Sequence, residues 1–183
     1  MRFPLREQLA LPCVFERLVP GRQHPDGRRY LPLIVLRPLA PGAPDGLLLG
    51  VVDRHHRVAE GLLGAAGSAR LVCALSTLRL QDGPPRRGLE PEPGRQGDGP
   101  SLAPVVYGRV LEVAAWETGA GALPYERVYA ELLLDIGVGR VGVRTNLTAG
   151  SLAAELGKAQ LEPGDDVVLA RSRIDILAFE PEA

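Results

Sequence analysis

The chain has 183 residues, a net charge of −1, and is 45% apolar but only 4% aromatic. That apolar share supports a packed core and excludes wholesale disorder. The near-neutral charge gives no overall pull toward polyanions or membranes, and four Tyr, three Phe and one Trp leave few rings for stacking bases.

Leu11–Val19, Tyr30–Arg37 and Leu47–Asp53 read as strands, bounded by Pro and Gly turn signals. Val58–Leu63 reads as a short helix closed by Gly64 and Gly67, and Leu71–Leu80 (LVCALSTLRL) alternates as a further strand. Cys13 and Cys73 fall in these apolar strands without CxxC spacing, which predicts reduced, buried thiols.

Composition then changes. Ten of the twenty residues Gln81–Pro100 are Gly or Pro, and Leu89 is the only large apolar side chain among them. Such a stretch buries too little to offset its ordering entropy, so 81–103 is expected to be a disordered Pro/Gly linker.

Val105–Trp116, Val128–Ile136 and Arg140–Thr145 are the next strands, with Gly119–Ala122 read as a hairpin loop closing at Pro124. Thr148 can cap a short helix over Ser151–Leu156, and Pro163-Gly164-Asp165 turns into Val167–Phe179, one bent strand or two short ones. Strand, strand, strand, short helix, strand thus occurs twice, about 93–97 positions apart.

The expected fold is mainly β, with two tandem small barrels of OB or Mop type, each with one short helix. Residues 1–80 form the first barrel, 81–103 the linker and 104–183 the second. The first carries eleven Arg against six acids, and residues 101–183 carry seven basic side chains against twelve acids. Opposite balances of this kind suit attraction between the halves or to a second copy.

The last seventy-odd residues resemble the Mop/TOBE family of small β-barrels. The matching residues are Tyr107-Gly108-Arg109-Val110, Asp135-Ile136-Gly137, Thr148 with Ser151 before Ala154-Glu155-Leu156-Gly157, and Leu161 to Val167 (LEPGDDV). The resemblance implies a small barrel and an oxyanion site of the molybdate type, with Ser101, Thr148 and Ser151 as its residues. The Ser-Ala-Arg-Asn-like opening of anion-binding members is here Ser101-Leu102-Ala103-Pro104, without the Arg and Asn.

The conspicuous polar cluster is Asp53-Arg54-His55-His56-Arg57. Adjacent His in extended backbone point to opposite sides, and no further ligand set accompanies them, so no metal is expected. With Arg28 and Arg29, the residues Arg54, His55, His56 and Arg57 make a basic patch for phosphate or a nucleic-acid backbone, with Tyr30 and Phe15 as candidate stacking rings. Ser76, Ser172 and Cys73 lack a nucleophile elbow around them.

A non-enzymatic binding or assembly protein without cofactor is the expectation, its partner another protein or a second copy. An oxyanion-binding protein and an OB-type nucleic-acid binder are the alternatives. No basic leader precedes a long apolar run, and runs such as Leu132–Leu134 are too short to span a bilayer, so a cytoplasmic location without membrane contact is expected.

Overall fold

The computed structural model describes residues 3–27, 29–39, 43–74, 77–95, 97–117 and 128–182. The fold is mainly β. Its strands are β1 (Leu11–Val19), β2 (Arg22–Gln23), β3 (Arg29–Tyr30), β4 (Leu33–Pro38), β5 (Leu49–Val52), β6 (Ala66–Ala74) and β7 (Thr77–Leu80). They continue as β8 (Gly88–Glu90), β9 (Val105–Glu117), β10 (Val128–Asp135), β11 (Arg140–Arg144), β12 (Asp166–Ala170) and β13 (Arg173–Pro181). Beside two short 3-10 turns, Arg6–Gln8 and Glu60–Leu62, the described residues form the α-helix α1 (Ala149–Glu155), capped by Thr148, whose hydroxyl accepts the Ser151 N–H at 3.1 Å.

Alternation dictates which faces turn inward. Leu11, Cys13 and Phe15 of β1 are fully buried, and Ile34 and Leu36 of β4 meet them in the same core. Around this core the strands close into a small five-stranded barrel in the order β1-β4-β5-β13-β6 and back to β1. The pair β5–β13 is parallel; the other four pairs are antiparallel. Closure leaves no long unpaired edge on this barrel.

The closing strand β13 comes from the last residues of the chain, so residues 1–80 do not close this barrel by themselves. Beyond the pairings of β6 with β1 and β12 with β9, the runs β6–β7 and β12–β13 do not turn back on themselves. Instead β6 and β7 run against β13 and β12 in nearly one register, pairing Gly67 with Pro181, Ala74 with Arg173, Thr77 with Ala170 and Leu80 with Val167. Within the second half β9–β10, β10–β11 and β9–β12 pair as β1–β4, β4–β5 and β1–β6 do in the first. The set is then joined to the first half through β11–β6, in parallel, and β12–β7. Alternation fixes which face a strand buries but not which strand it pairs with, so the exchange is invisible in local pattern.

The stretch expected to be a disordered linker is also tied down. Leu89 on β8 is buried, and β8 pairs with β9. Ser101 is fully buried and bridges to β5, its N–H donating to Leu48 O and its carbonyl accepting from Gly50 N–H, both at 2.7 Å. Burial of one leucine is worth roughly 1.5–3 kcal/mol, and with these main-chain bonds it offsets the ordering cost that composition alone suggested. The Gly119–Ala122 loop, and Ser76 in the strand predicted over Leu71–Leu80, lie outside the described residues.

Ahead of β1, residues 3–10 form an arm across the outer face of the second half. Phe3, Leu5 and Leu9 bury themselves against Val72 and Leu133. Gly142 makes this possible: a Cβ there would stand 2.5 Å from Phe3 Cζ.

Both cysteines are free and buried. Burial pushes each thiol up to about 12. Neither is expected to react with a disulfide reagent at about pH 8 in the folded protein, and both should react once it is unfolded. Titration with and without denaturant reads this directly, and a fast-reacting native thiol would contradict the packing.

Candidate functional site

The loop Asp53–Val58 follows β5, and its shape is set by its first residue. Asp53 is buried, and its carboxylate accepts the N–H groups of Arg57 and Val58, each at 2.9 Å. Its own N–H donates to Pro32 O at 2.9 Å, which ties the loop to the start of β4. A short polar side chain that folds its own backbone is an ordinary turn device. Both carboxylate oxygens are therefore engaged with main chain. Among the described residues no group of three His, Cys, Asp or Glu could hold a metal ion.

Opposite this loop, the chain leaves β1 and makes the small hairpin β2–β3, with Arg22 paired to Tyr30 and Gln23 to Arg29. Gly21 stands at its neck because any side chain there would collide with the carbonyl of Tyr30. Between the residues that flank the hairpin and the loop lies a cleft of about 430 Å³. Leu18, Pro20, Pro32 and Val58 give it apolar walls, and Asp53, His56 and Glu60 its polar ones. Val19, Tyr30 and Leu31 are exposed in the same segments.

Two residues of this region hold an unusual backbone. Leu31 has φ 47° and His56 has φ 49°. Left-handed conformations crowd the Cβ of non-glycine residues, and such outliers concentrate at functional sites. Leu31 is 46% exposed. Leu31→Asn is expected to raise thermal stability, by about 1 kcal/mol, since asparagine tolerates this region better. A melting curve measures it; a loss of stability would mean that Leu31 holds the hairpin in place.

The structure thus brings part of the sequence-predicted basic patch to the cleft. His56 lines it, and Arg54, His55 and Arg57 are exposed in the same loop. Arg57 Nη1 donates to Leu177 O on β13 at 3.2 Å. Arg28 and the side chain of Arg29 lie outside the described residues. Of the two rings offered for stacking, Phe15 is fully buried against Phe179, which withdraws it, while Tyr30 is 52% exposed. Tyr30 packs on His24 with ring centroids 4.8 Å apart. His24 and the apolar walls escaped the sequence reading. The signal was there, in two Pro residues flanking a short polar excursion between strands.

The residues implied by the Mop/TOBE resemblance sit elsewhere. Ser101 donates its hydroxyl to Glu92, which also accepts the Leu102 N–H at 3.2 Å. Thr148 donates to the Ser151 hydroxyl at 3.0 Å, at the start of α1. A second cleft, of about 540 Å³, lies by the Thr77–Ala170 pair and mixes Arg79 and Arg171 with Glu155 and Asn146.

No known protein family, curated protein or solved structure matches the chain significantly. Among the described residues no helix is long and apolar enough to cross a membrane.

Proposed function

We propose that this is a non-enzymatic binding or assembly protein, built on OB-type barrels, whose cleft beside the β2–β3 hairpin receives an apolar side chain of a partner protein. The observation that carries the reading is the coincidence of apolar walls with the two strained residues Leu31 and His56 at one end of the closed barrel. The parallel β5–β13 pair and the five-strand closure support the OB-type reading of the barrel. Engagement of the Ser101, Thr148 and Ser151 hydroxyls within the protein leaves the oxyanion alternative with less support.

A photoreactive residue placed at position 31 tests the proposal in the native host. Position 39 is the control: Leu39 is also exposed but lies beyond the other end of β4, roughly 20 Å away for a six-residue strand. Discrete protein adducts are expected at 31 and not at 39. Equal labelling at both positions would remove the cleft from consideration.

Nucleic acid is the second reading, favoured by the exposed Tyr30–His24 ring pair on a hairpin that also carries Arg22. It predicts adducts to RNA or DNA at position 31 and an affinity that falls steeply with salt.

A further inference from the structure

The second cleft, of about 540 Å³ beside the β7–β12 pair, shares no lining residue with the one at the hairpin. Arginines without a carboxylate occur at several places on this protein, but here two of them, Arg79 and Arg171, line one cavity. Neither guanidinium has an ion pair or hydrogen bond among the described residues, and Glu155, which lines the same cavity, pairs with neither. The backbone accounts for their convergence. Arg79 pairs with Val168 and Thr77 with Ala170, so Thr77, Arg79 and Ala170 share a face of the sheet. Strict alternation would turn Arg171, next after Ala170, to the other face. Its backbone is left-handed instead, with φ 57°, and Arg171 lines the cavity together with Arg79. The two residues stand three positions apart in register, roughly 10 Å along the strands, a span that two arginine side chains can close on one group between them.

We infer that this cleft binds a small organic phosphate monoester, its dianionic head between Arg79 and Arg171 and its body over Leu78 and Leu147. The site is independent of the hairpin cleft and of the residues Ser101, Thr148 and Ser151, none of which lines it. Two guanidinium forks offer paired N–H donors that match phosphate oxygens, and their two positive charges match a dianion, whereas a single fork satisfies a carboxylate. Asn146, also on the lining, carries a neutral amide donor for a further oxygen. Leu78, Leu147 and Ala170 supply apolar surface, which an inorganic anion leaves wet and an organic body covers. The volume is that of a small-molecule site. Glu155 opposes the phosphate by like charge, so its removal has a defined sign.

Calorimetry on the intact protein tests this with phenyl phosphate, inorganic phosphate, benzoate and a phosphotyrosine peptide with uncharged flanks, at about pH 7.5, where a phosphomonoester is mostly dianionic. Phenyl phosphate is expected to bind at least about tenfold tighter than inorganic phosphate or benzoate. Arg79→Gln and Arg171→Asn should each weaken it by about tenfold or more. Asparagine tolerates the left-handed backbone, so the second variant keeps the fold. Glu155→Gln should tighten binding. Arg17→Gln, at an exposed position on β1 outside both clefts, should leave it unchanged. Equal affinity for inorganic phosphate or for benzoate overturns the inference, as does weaker binding in Glu155→Gln. A loss in Arg17→Gln as large as in the cleft variants, or binding that survives both cleft variants, overturns it by removing the site. A peptide bound more than about tenfold tighter than phenyl phosphate overturns it in favour of a phosphorylated partner. No binding of phenyl phosphate at millimolar concentration overturns it outright. None of these outcomes bears on the labelling expected at position 31.

Discussion

A chain ending at Ser172 is expected to lose the first-half barrel, although every residue removed lies in the last eleven of the sequence. β13 pairs with both β5 and β6, so its removal opens the ring on two sides at once. Ile174, Ile176 and Phe179 are nearly fully buried, and Phe179 meets Phe15 edge-on with centroids 6.2 Å apart. Three such side chains contribute roughly 5–9 kcal/mol of burial, comparable to the whole stability of about 5–15 kcal/mol typical of a domain. Amide exchange on β4 is the decisive readout, because Leu33–Pro38 is remote from the truncation in sequence. Protection there should collapse. A cooperative melt with β4 still protected would show that the first half stands without its borrowed strand.

The same interlock changes what cleavage between Glu90 and Ser101 should do. Two independent barrels on a tether would separate once cut. Strands exchanged along the register from Gly67–Pro181 to Leu80–Val167 hold the fragments together until denaturant releases them.

Much of the local structure was legible in the sequence, and the reasons are physical. The strand predicted over Leu11–Val19 is β1, and the one over Val105–Trp116 is β9 within a residue, because alternating apolar residues and β-branched content are local properties. The Thr148 cap was legible because a hydroxyl before a short apolar run has one favourable local use. Pairing was not legible: the partner of β6 along Arg173–Pro181 lies about a hundred residues away, and nothing in LVCALSTLRL marks whether it turns back or continues. Leu89 was discounted as one apolar residue among ten Gly and Pro, yet a single buried side chain placed β8. At the candidate site the charges were visible and the walls were not. Arg54 to Arg57 stand out in any reading, whereas Leu18 and Pro32 become neighbours only when β1 and β4 pair.

Under the N-terminal arm, a single substitution is expected to produce the largest loss of stability. Glu131 on β10 is fully buried and faces Arg144 on β11, with Arg144 Nε donating to Glu131 Oε1 at 2.8 Å. Glu131 Oε2 has no hydrogen-bond partner among the described residues, and the guanidinium lies 5.5 Å from the Phe3 ring centroid. Burial holds the Glu131 carboxyl above the ordinary glutamate range, and Arg144 pulls it part of the way back. Arg144→Met removes that pull and leaves an uncompensated buried carboxylate, a change that typically costs about 3–5 kcal/mol. Pairing it with Glu131→Leu, which removes the charge as well, should recover most of that loss. The pH dependence carries its own sign. A carboxyl raised in the fold binds protons more tightly there than in the unfolded chain, so its contribution is greatest in acid and is lost as pH rises through the raised value. Glu92 and Asp165 run the other way: burial raises each, but bonds from Ser101 and the Leu102 N–H, and from Lys158 and the Glu162 N–H, outweigh it. These two contribute near neutrality and lose it as pH falls, equally in every variant, so they cancel from comparisons. Denaturant unfolding at about pH 5 and pH 8 should therefore show Arg144→Met losing more stability than the parent at the higher pH, while the double variant, which lacks the carboxyl, loses less than the parent over that interval. A cost under about 1 kcal/mol with no pH difference would place the pair among solvent-screened surface contacts and would mean that the arm does not seal this face.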